Sequence, residues 1–389
     1  MRHYKSSTQL NSLQLESRLV LDMRYAIGAQ AGGGPRVEVI SENGSTLANF
    51  YAYDPSFTGG VRVAMGDVNG DGVMDLITVP GPGGGPQVNI YDGASGYTRL
   101  LYSFWALGSQ NSGDRGGTWV TTGDLDGNGT ADVIVSGWDA TAGQPAAYMY
   151  NSGNPAVGIF QGKVYPWSSQ AANVPYGQSP YVGGFPITTM TPAGWSHPLL
   201  MCGNPGGWYH DLIEVLTSTS TYTTVSQPDV VSYYPAGDNY TPPITYPNLY
   251  SWTSGDSSFD GPGYRNRNRA TANGGTSPNN YELPVQVAGG PLTDAGDVIL
   301  SVSTTNGPFG ALYEFNTAGA YNYTAHTPFG SNAVSSMSVV ARTLGGYNRL
   351  IVGSGPGTAN SPIDFLDSNL NAYYQITPFA GFNGGVWVG

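Results

Sequence analysis

The chain is 389 residues long, beyond the roughly 250–300 at which a single compact core stops growing, so it calls for two domains or a repeat architecture. Only 10% of its residues are charged, and a net charge of −12 with 14 basic side chains excludes the positive footprint that nucleic acid or an anionic membrane surface requires. The single Cys202 excludes an internal disulfide framework and a multi-cysteine zinc site, and no apolar run approaches the about 18 residues of a membrane-spanning helix.

With 57 Gly, 28 Pro and 27 Tyr, long helices are disfavoured and short strands separated by turns are expected, an all-β class. Residues 1–22 begin with basic residues, but their longest apolar run is LVL, too short for the apolar core of an ordinary secretory signal. The segment LESRLVL (15–21) resembles the Leu-Glu-x-Arg-Leu-x-Leu stretch that opens many exported planctomycete proteins. A leader or non-standard export segment is expected there, with 23–389 as one domain.

From residue 23 the chain repeats itself. MRYAIGAQAGGGPRVEVISENG (23–44) aligns with MDLITVPGPGGGPQVNIYDG (74–93) on GGGP, and alternating apolar residues follow in both, Val37 and Val39 against Val88 and Ile90. FTGGVRVAMGDVNGDG (57–72) is echoed by RGGTWVTTGDLDGNGT (115–130) and by FNGGVWVG (382–389). A unit thus reads as strand GGVRVAMG, acidic loop, strand DLITV, Gly-rich turn, strand PQVNIYD, turn and strand TRLLYSFW. Four short antiparallel strands in about 50 residues is the size of a propeller blade.

The count gives six four-stranded blades: one closing blade, then about 57–107, 115–166, 180–225, 283–328 and 333–380. The C-terminal GGVWVG is a first strand without its blade and 23–53 is a blade without its first strand. Joined, they close the ring and remove its open edge. Residues 226–282, with Pro242–Pro243 and little strand alternation, are left over as an inserted loop; the alternative is an irregular seventh blade.

The acidic loops carry the chemistry. Asp67, Asn69, Asp71 and Asp75 stand at positions 1, 3, 5 and 9, with glycines at 4 and 6, and Asp124, Asp126, Asn128 and Asp132 repeat the spacing. Hard oxygen donors on alternate residues, with glycine letting the backbone curl, are what a Ca²⁺ with six to eight oxygen ligands needs. The carbonyls of Val73 and Thr130 are natural additional ligands. Position 12 holds Thr78 and Val135 where an EF-hand would carry Glu, and a strand follows, so an EF-hand is rejected. Two Ca²⁺ sites are expected, because PAGWSHP (192–198), PLTDAGD (291–297) and RTLGGYN (342–348) lack enough carboxylates and Arg24 aligns with Asp75.

These loops, GDVNGDGVMDLITV and GDLDGNGTADVIVSG, resemble the FG-GAP repeats of integrin alpha-subunit propellers and of bacterial secreted proteins. The GGGPxVxVxD continuation is similar to the planctomycete version. The resemblance is strong over about 23–150, weak over 333–389 and one of pattern in between. It implies a propeller with calcium in the hairpin loops between the first two strands of a blade; it does not imply an enzyme.

No HExxH, GxSxG elbow or His/Cys cluster accompanies the four histidines. His197 and His210, with Asp211 or Glu214 nearby, are ordinary loop residues on this reading, and GPGGGP precedes no helix that could hold a phosphate. The expectation is a non-catalytic extracellular or cell-surface module that binds protein or glycan. Tyr233, Tyr234, Tyr240, Tyr246, Tyr250, Trp252, Phe259 and Tyr264 of the insertion are the candidate contact surface. The alternatives are a self-associating structural subunit of a filament or surface layer, and a carbohydrate-active enzyme with an unrecognised site.

Overall fold

A computed structural model describes residues 23–108, 115–151, 160–165, 183–191, 198–203, 213–217, 229–233, 286–290, 297–302, 311–316, 321–326, 328–329, 337–344 and 347–389. Residues 1–22, where a leader is expected, lie outside them, as do His3, His197 and His210.

In chain order the strands are β1 (Arg24–Ala29), β2 (Arg36–Ser41) and β3 (Thr46–Tyr51); β4 (Val61–Gly66), β5 (Asp75–Pro80), β6 (Gln87–Tyr91) and β7 (Leu100–Trp105); β8 (Trp119–Gly123), β9 (Asp132–Asp139), β10 (Gln144–Tyr150) and β11 (Phe160–Val164). There follow β12 (Ile187–Met190), β13 (Leu199–Gly203), β14 (Ile213–Thr217) and β15 (Asp229–Tyr233); β16 (Gln286–Gly290), β17 (Asp297–Val302), β18 (Ala311–Asn316) and β19 (Tyr321–His326); β20 (Ser338–Leu344), β21 (Tyr347–Gly353), β22 (Ile363–Leu366) and β23 (Ala372–Ile376); and β24 (Val386–Val388). They form six four-stranded sheets, five of consecutive strands and one ordered β24-β1-β2-β3. Every pairing is antiparallel, with Ile27 opposite Val388 and Ala29 opposite Val386 at the closing pair.

The first strands β4, β8, β12, β16, β20 and β24 are neighbours in that succession, and β24 also touches β4. The molecule is therefore a β-propeller of four-stranded antiparallel blades. β4 is buried along its whole length, as a strand covered on both faces must be. The fourth strands β3, β7 and β23 have no buried residue along their length. Cores lie between adjacent sheets: Val37, Val39, Val61 and Leu76 fill one, and Val79, Val88, Val135 and Tyr148 the next.

One boundary moves. The expected blade at 180–225 lacks a fourth strand, and that strand is β15, which pairs with β14 from Ile213↔Tyr233 to Thr217↔Asp229. It lies within the stretch 226–282 read as an insertion. DVVSY has the β-branched residues of a strand, but its place between Pro228 and the Pro-rich run beyond Tyr234 disguises it.

The repeated glycines join blade to blade through the main chain. Gly60, Gly117 and Gly385 open successive first strands with φ of 79°, 84° and 86°. A Cβ on each would lie 2.6–2.8 Å from backbone atoms of the preceding Gly-rich turns, at Gln30, Pro82 and Gly355 respectively. Gly32 N–H donates to Thr58 O, Gly83 N–H to Arg115 O and Gly357 N–H to Asn383 O at 2.8–2.9 Å. GGGP is thus a seam between blades.

Candidate metal centre

Each acidic loop connects the first two strands of its blade, β4 to β5 and β8 to β9. Glycine is required where the chain curls: φ is 75° at Gly70 and 85° at Gly72, and 74° and 88° at Gly127 and Gly129. Val68 and Leu125, at position 2, are 1% and 2% exposed and anchor the loops in the core. Asp75 and Asp132, at position 9, are fully buried; their Oδ2 atoms accept the N–H of Val68 at 3.1 Å and of Leu125 at 3.0 Å. Position 9 thereby closes each loop onto its own start.

In the second loop Asp124, Asp126 and Asp132 bring one carboxylate oxygen each to within 4.8 Å of one another. Asp124 accepts the N–H groups of Asn128 and Gly129 at 3.0 and 2.9 Å. Asp126 accepts the Asn128 N–H at 3.1 Å and its amide at 3.0 Å. The Asn128 Oδ1 takes the Thr130 N–H at 2.8 Å and the Thr130 hydroxyl. Three convergent carboxylates repel one another unless a cation neutralises them, and an all-oxygen donor set is the chemistry of a hard divalent ion.

The first loop has the same frame, and its side chains face the loop's own N–H groups. Asp67 accepts from Gly70 at 2.8 Å, Asp71 at 3.1 Å and Gly72 at 2.8 Å. Asp71 accepts the Val73 N–H at 2.9 Å and the Asn69 amide at 3.0 Å. Burial first, then the charges of Asp71 and Asp67, push Asp75 up to about 6 against the lowering hydrogen bonds from Gly93 and Val68. Both loops are Asx-turns closed on their own N–H groups; among the expected donors, the carboxylates of Asp124, Asp126 and Asp132 converge in the second, and the first carries its carboxylates at Asp67, Asp71 and Asp75 with Asn69 at position 3.

Two residues beside the loops escaped the spacing argument. The Asn69 amide lies 3.5 Å from an Asp92 carboxylate oxygen, and the Asn151 amide 3.4 Å from Asp126. Asp92 and Asn151 each follow the last tyrosine of a third strand, in IYD and MYN, a repeat signal that could have identified them. The loops also touch: the Ala131 N–H donates to the Asp67 carbonyl at 2.8 Å.

Of the expected contact surface, Tyr233 ends β15. Tyr234, Tyr240, Tyr246, Tyr250, Trp252, Phe259 and Tyr264 lie outside the described residues. Among the described residues, most of the large exposed apolar side chains sit on the fourth strands, Tyr51, Leu100, Trp105, Tyr373 and Tyr374 among them, while Tyr347 opens β21.

Residues 67–135 match the family model of the FG-GAP-like repeat, a span that begins at the first acidic loop and runs through the second. No curated protein matches the chain. Among solved structures, the chain is similar to AofleA from Arthrobotrys oligospora at 10% identity and a TM-score of 0.46, covering 95% of this chain and 90% of that one. It is similar to the major Malassezia sympodialis allergen Mala s 1 at 11% identity and TM-score 0.41, over 82% and 80% of the two chains. It is similar to the exotype rhamnogalacturonan lyase YesX at 13% identity and TM-score 0.40, over 92% and 71%. Likenesses this distant carry no functional inference. The chain is thus a β-propeller of four-stranded blades that carries an FG-GAP-like repeat over residues 67–135.

Proposed function

We propose that this chain is a non-catalytic, calcium-stabilised binding module of six blades that works outside the cell. The observation that carries the reading is the convergence of Asp124, Asp126 and Asp132 within 4.8 Å. The first loop, with the same spacing of oxygen side chains but Asn69 and Asp71 where the second has Asp126 and Asn128, is the second Ca²⁺ site; there the ion would draw the Asp67, Asp71 and Asp75 oxygens away from their N–H partners. Val73 and Thr130 would complete the two sets through their carbonyls. Calcium here supplies charge neutralisation to a loop and no chemistry, so its effect is on stability.

An extracellular setting suits both the repeat and the ion, since millimolar calcium fills sites of modest affinity. A site with Kd of about 10⁻⁴–10⁻³ M gains roughly 0.4–1.4 kcal/mol in about 1 mM calcium. Among the described residues no helix is long and apolar enough to cross a membrane. The aromatic side chains of the outer strands, Tyr51 and Trp105 at 51% and 52% exposure, support a contact-making rim for protein or glycan.

The test is to melt the full chain with calcium and with chelator and to count bound metal by elemental analysis. Two calcium ions per chain and a midpoint lowered by chelator are expected. An unchanged midpoint with no bound metal would overturn the assignment. Negative-stain microscopy of the same sample separates a ligand-binding monomer from a self-assembling subunit, because only the latter requires ordered polymers.

A further inference from the structure

The two acidic loops make the same set of contacts with opposite chemistry. In each, position 3 meets position 5 of its own loop and the residue that follows the third strand of its blade. These three are Asn69, Asp71 and Asp92 in the first loop and Asp126, Asn128 and Asn151 in the second. At each of the three places one loop has an amide and the other a carboxylate.

Donor and acceptor exchange with the residues. The Asn69 amide nitrogen donates to Asp71 at 3.0 Å and lies 3.5 Å from Asp92 Oδ1. Asp126 Oδ2 accepts instead, from the Asn128 amide at 3.0 Å and the Asn151 amide at 3.4 Å. The other atom of position 3 keeps one task in both loops: Asn69 Oδ1 accepts the Asp71 N–H at 2.9 Å, and Asp126 Oδ1 the Asn128 N–H at 3.1 Å. Asparagine has a single side-chain oxygen, so whatever holds its nitrogen decides where that oxygen is offered.

Asp92 is placed to hold that nitrogen. It is 3% exposed, and its Oδ2 is taken by the Arg99 guanidinium, with two nitrogens each at 3.0 Å, while Oδ1 faces Asn69. The next N–H along the chain, that of Gly93, donates to Asp75 at 2.9 Å. The end of the third strand is thereby fastened to position 9 of the loop it serves.

We propose, on the calcium reading of both loops, that Asp92 and Asn151 are positioning residues, each holding position 3 by its outer atom so that its inner oxygen is presented to the ion. Neither is itself a ligand. A carboxylate only accepts hydrogen bonds, so Asp92 suits an asparagine at position 3 and opposes an aspartate; the amide of Asn151 suits the aspartate its own loop carries.

The test writes the second loop's set into the first, in full chains that all carry Asp126→Ala so that the first site is read alone. The calcium dependence of the melting midpoint gives the affinity, and the midpoint in chelator gives the metal-free baseline. Asn69→Asp/Asp71→Asn keeps the number of carboxylates but opposes two of them at 69 and 92, and should bind calcium about tenfold more weakly than the Asp126→Ala reference. Adding Asp92→Asn removes a negative charge yet restores the matched pair, and should recover most of that loss; attraction of the ion to charge alone predicts a further loss. Should the first-loop variants fail to fold, Asn151→Ala changes no charge and, beside Asp71→Ala, should weaken the second site about fivefold. A triple variant that binds no tighter than the double, or chelator midpoints that shift while the affinities stay equal, would overturn the positioning role alone. No calcium binding by the reference would overturn the calcium reading of that loop and the positioning role with it.

Discussion

Ala26 and Gly389 exchange both of their backbone hydrogen bonds, at 2.9 and 3.0 Å, and so join the C-terminal strand to the N-terminal blade. Val386 and Val388 are buried there at 0% and 8% exposure, while Trp387 turns the other way and reaches Trp119 and Arg62. Deleting 384–389 removes about 1.5–3 kcal/mol of burial for each valine and opens a sheet edge. The truncated chain should precipitate or melt well below any single calcium-ligand variant. A monomeric product with an unshifted midpoint in scanning calorimetry would contradict the closure.

The contact between Ala131 N–H and the Asp67 carbonyl links the two acidic loops through their backbones. Asp71→Ala should abolish calcium binding at the first loop and also weaken the second, by about fivefold if the coupling is near 1 kcal/mol. Calcium titrations of Asp71→Ala and Asp126→Ala, each compared with the parent, measure this. Fully additive losses would mean that the loops bind independently.

Asp139 accepts Lys163 Nζ at 2.8 Å, the Tyr165 hydroxyl at 2.7 Å and the N–H groups of Thr141 and Ala142. Burial pushes this carboxyl up, but the hydrogen bonds from Lys163, Tyr165 and Ala142 outweigh it and hold the group well below the usual carboxylate range. A folded pKa below the unfolded one gives stability that is present above the unfolded value and is lost as pH falls through the folded value. Asp139→Asn should therefore cost about 1.5–3 kcal/mol at neutral pH, with the gap from the parent narrowing below about pH 4. Urea unfolding of both chains across pH gives the curve.

Gly385→Ala and Gly44→Ala place a methyl group at similar φ, 86° and 83°. The Cβ at 385 would lie 2.7 Å from the Gly355 carbonyl carbon, whereas nothing lies within 4 Å at 44. Gly44→Ala should cost the left-handed penalty of about 1–2 kcal/mol, and Gly385→Ala clearly more, because backbone must move. Equal melting midpoints for the two would show that the seam tolerates displacement.

The early blades were legible because motif and strand coincide: GGVRVAMG and DLITV became β4 and β5, and the lone GGVWVG contained the closing strand. The loop frame was legible from aspartate spacing alone. That the carboxylates of Asp124, Asp126 and Asp132 converge was not, since that depends on how each side chain turns within a loop whose N–H groups it also accepts. Asp92 and Asn151 sit beside the loops only because the third strand returns to the same end of the blade. The cluster of Arg62, Trp119 and Trp387 belongs to three blades, and nothing in any one repeat announces that they meet on the axis. β15 was hidden by proline-rich neighbours.

The seam of GGGP turns against GG entries is made of peptide groups, and peptide groups are the same in every repeat. A blade attached in this way can be duplicated without also duplicating a matched set of side chains on its neighbour. The strand count per blade stays at four even where later copies carry neither GGGP nor the aspartates. Attachment through the main chain leaves the side chains on the axis and on the rim open to change one blade at a time.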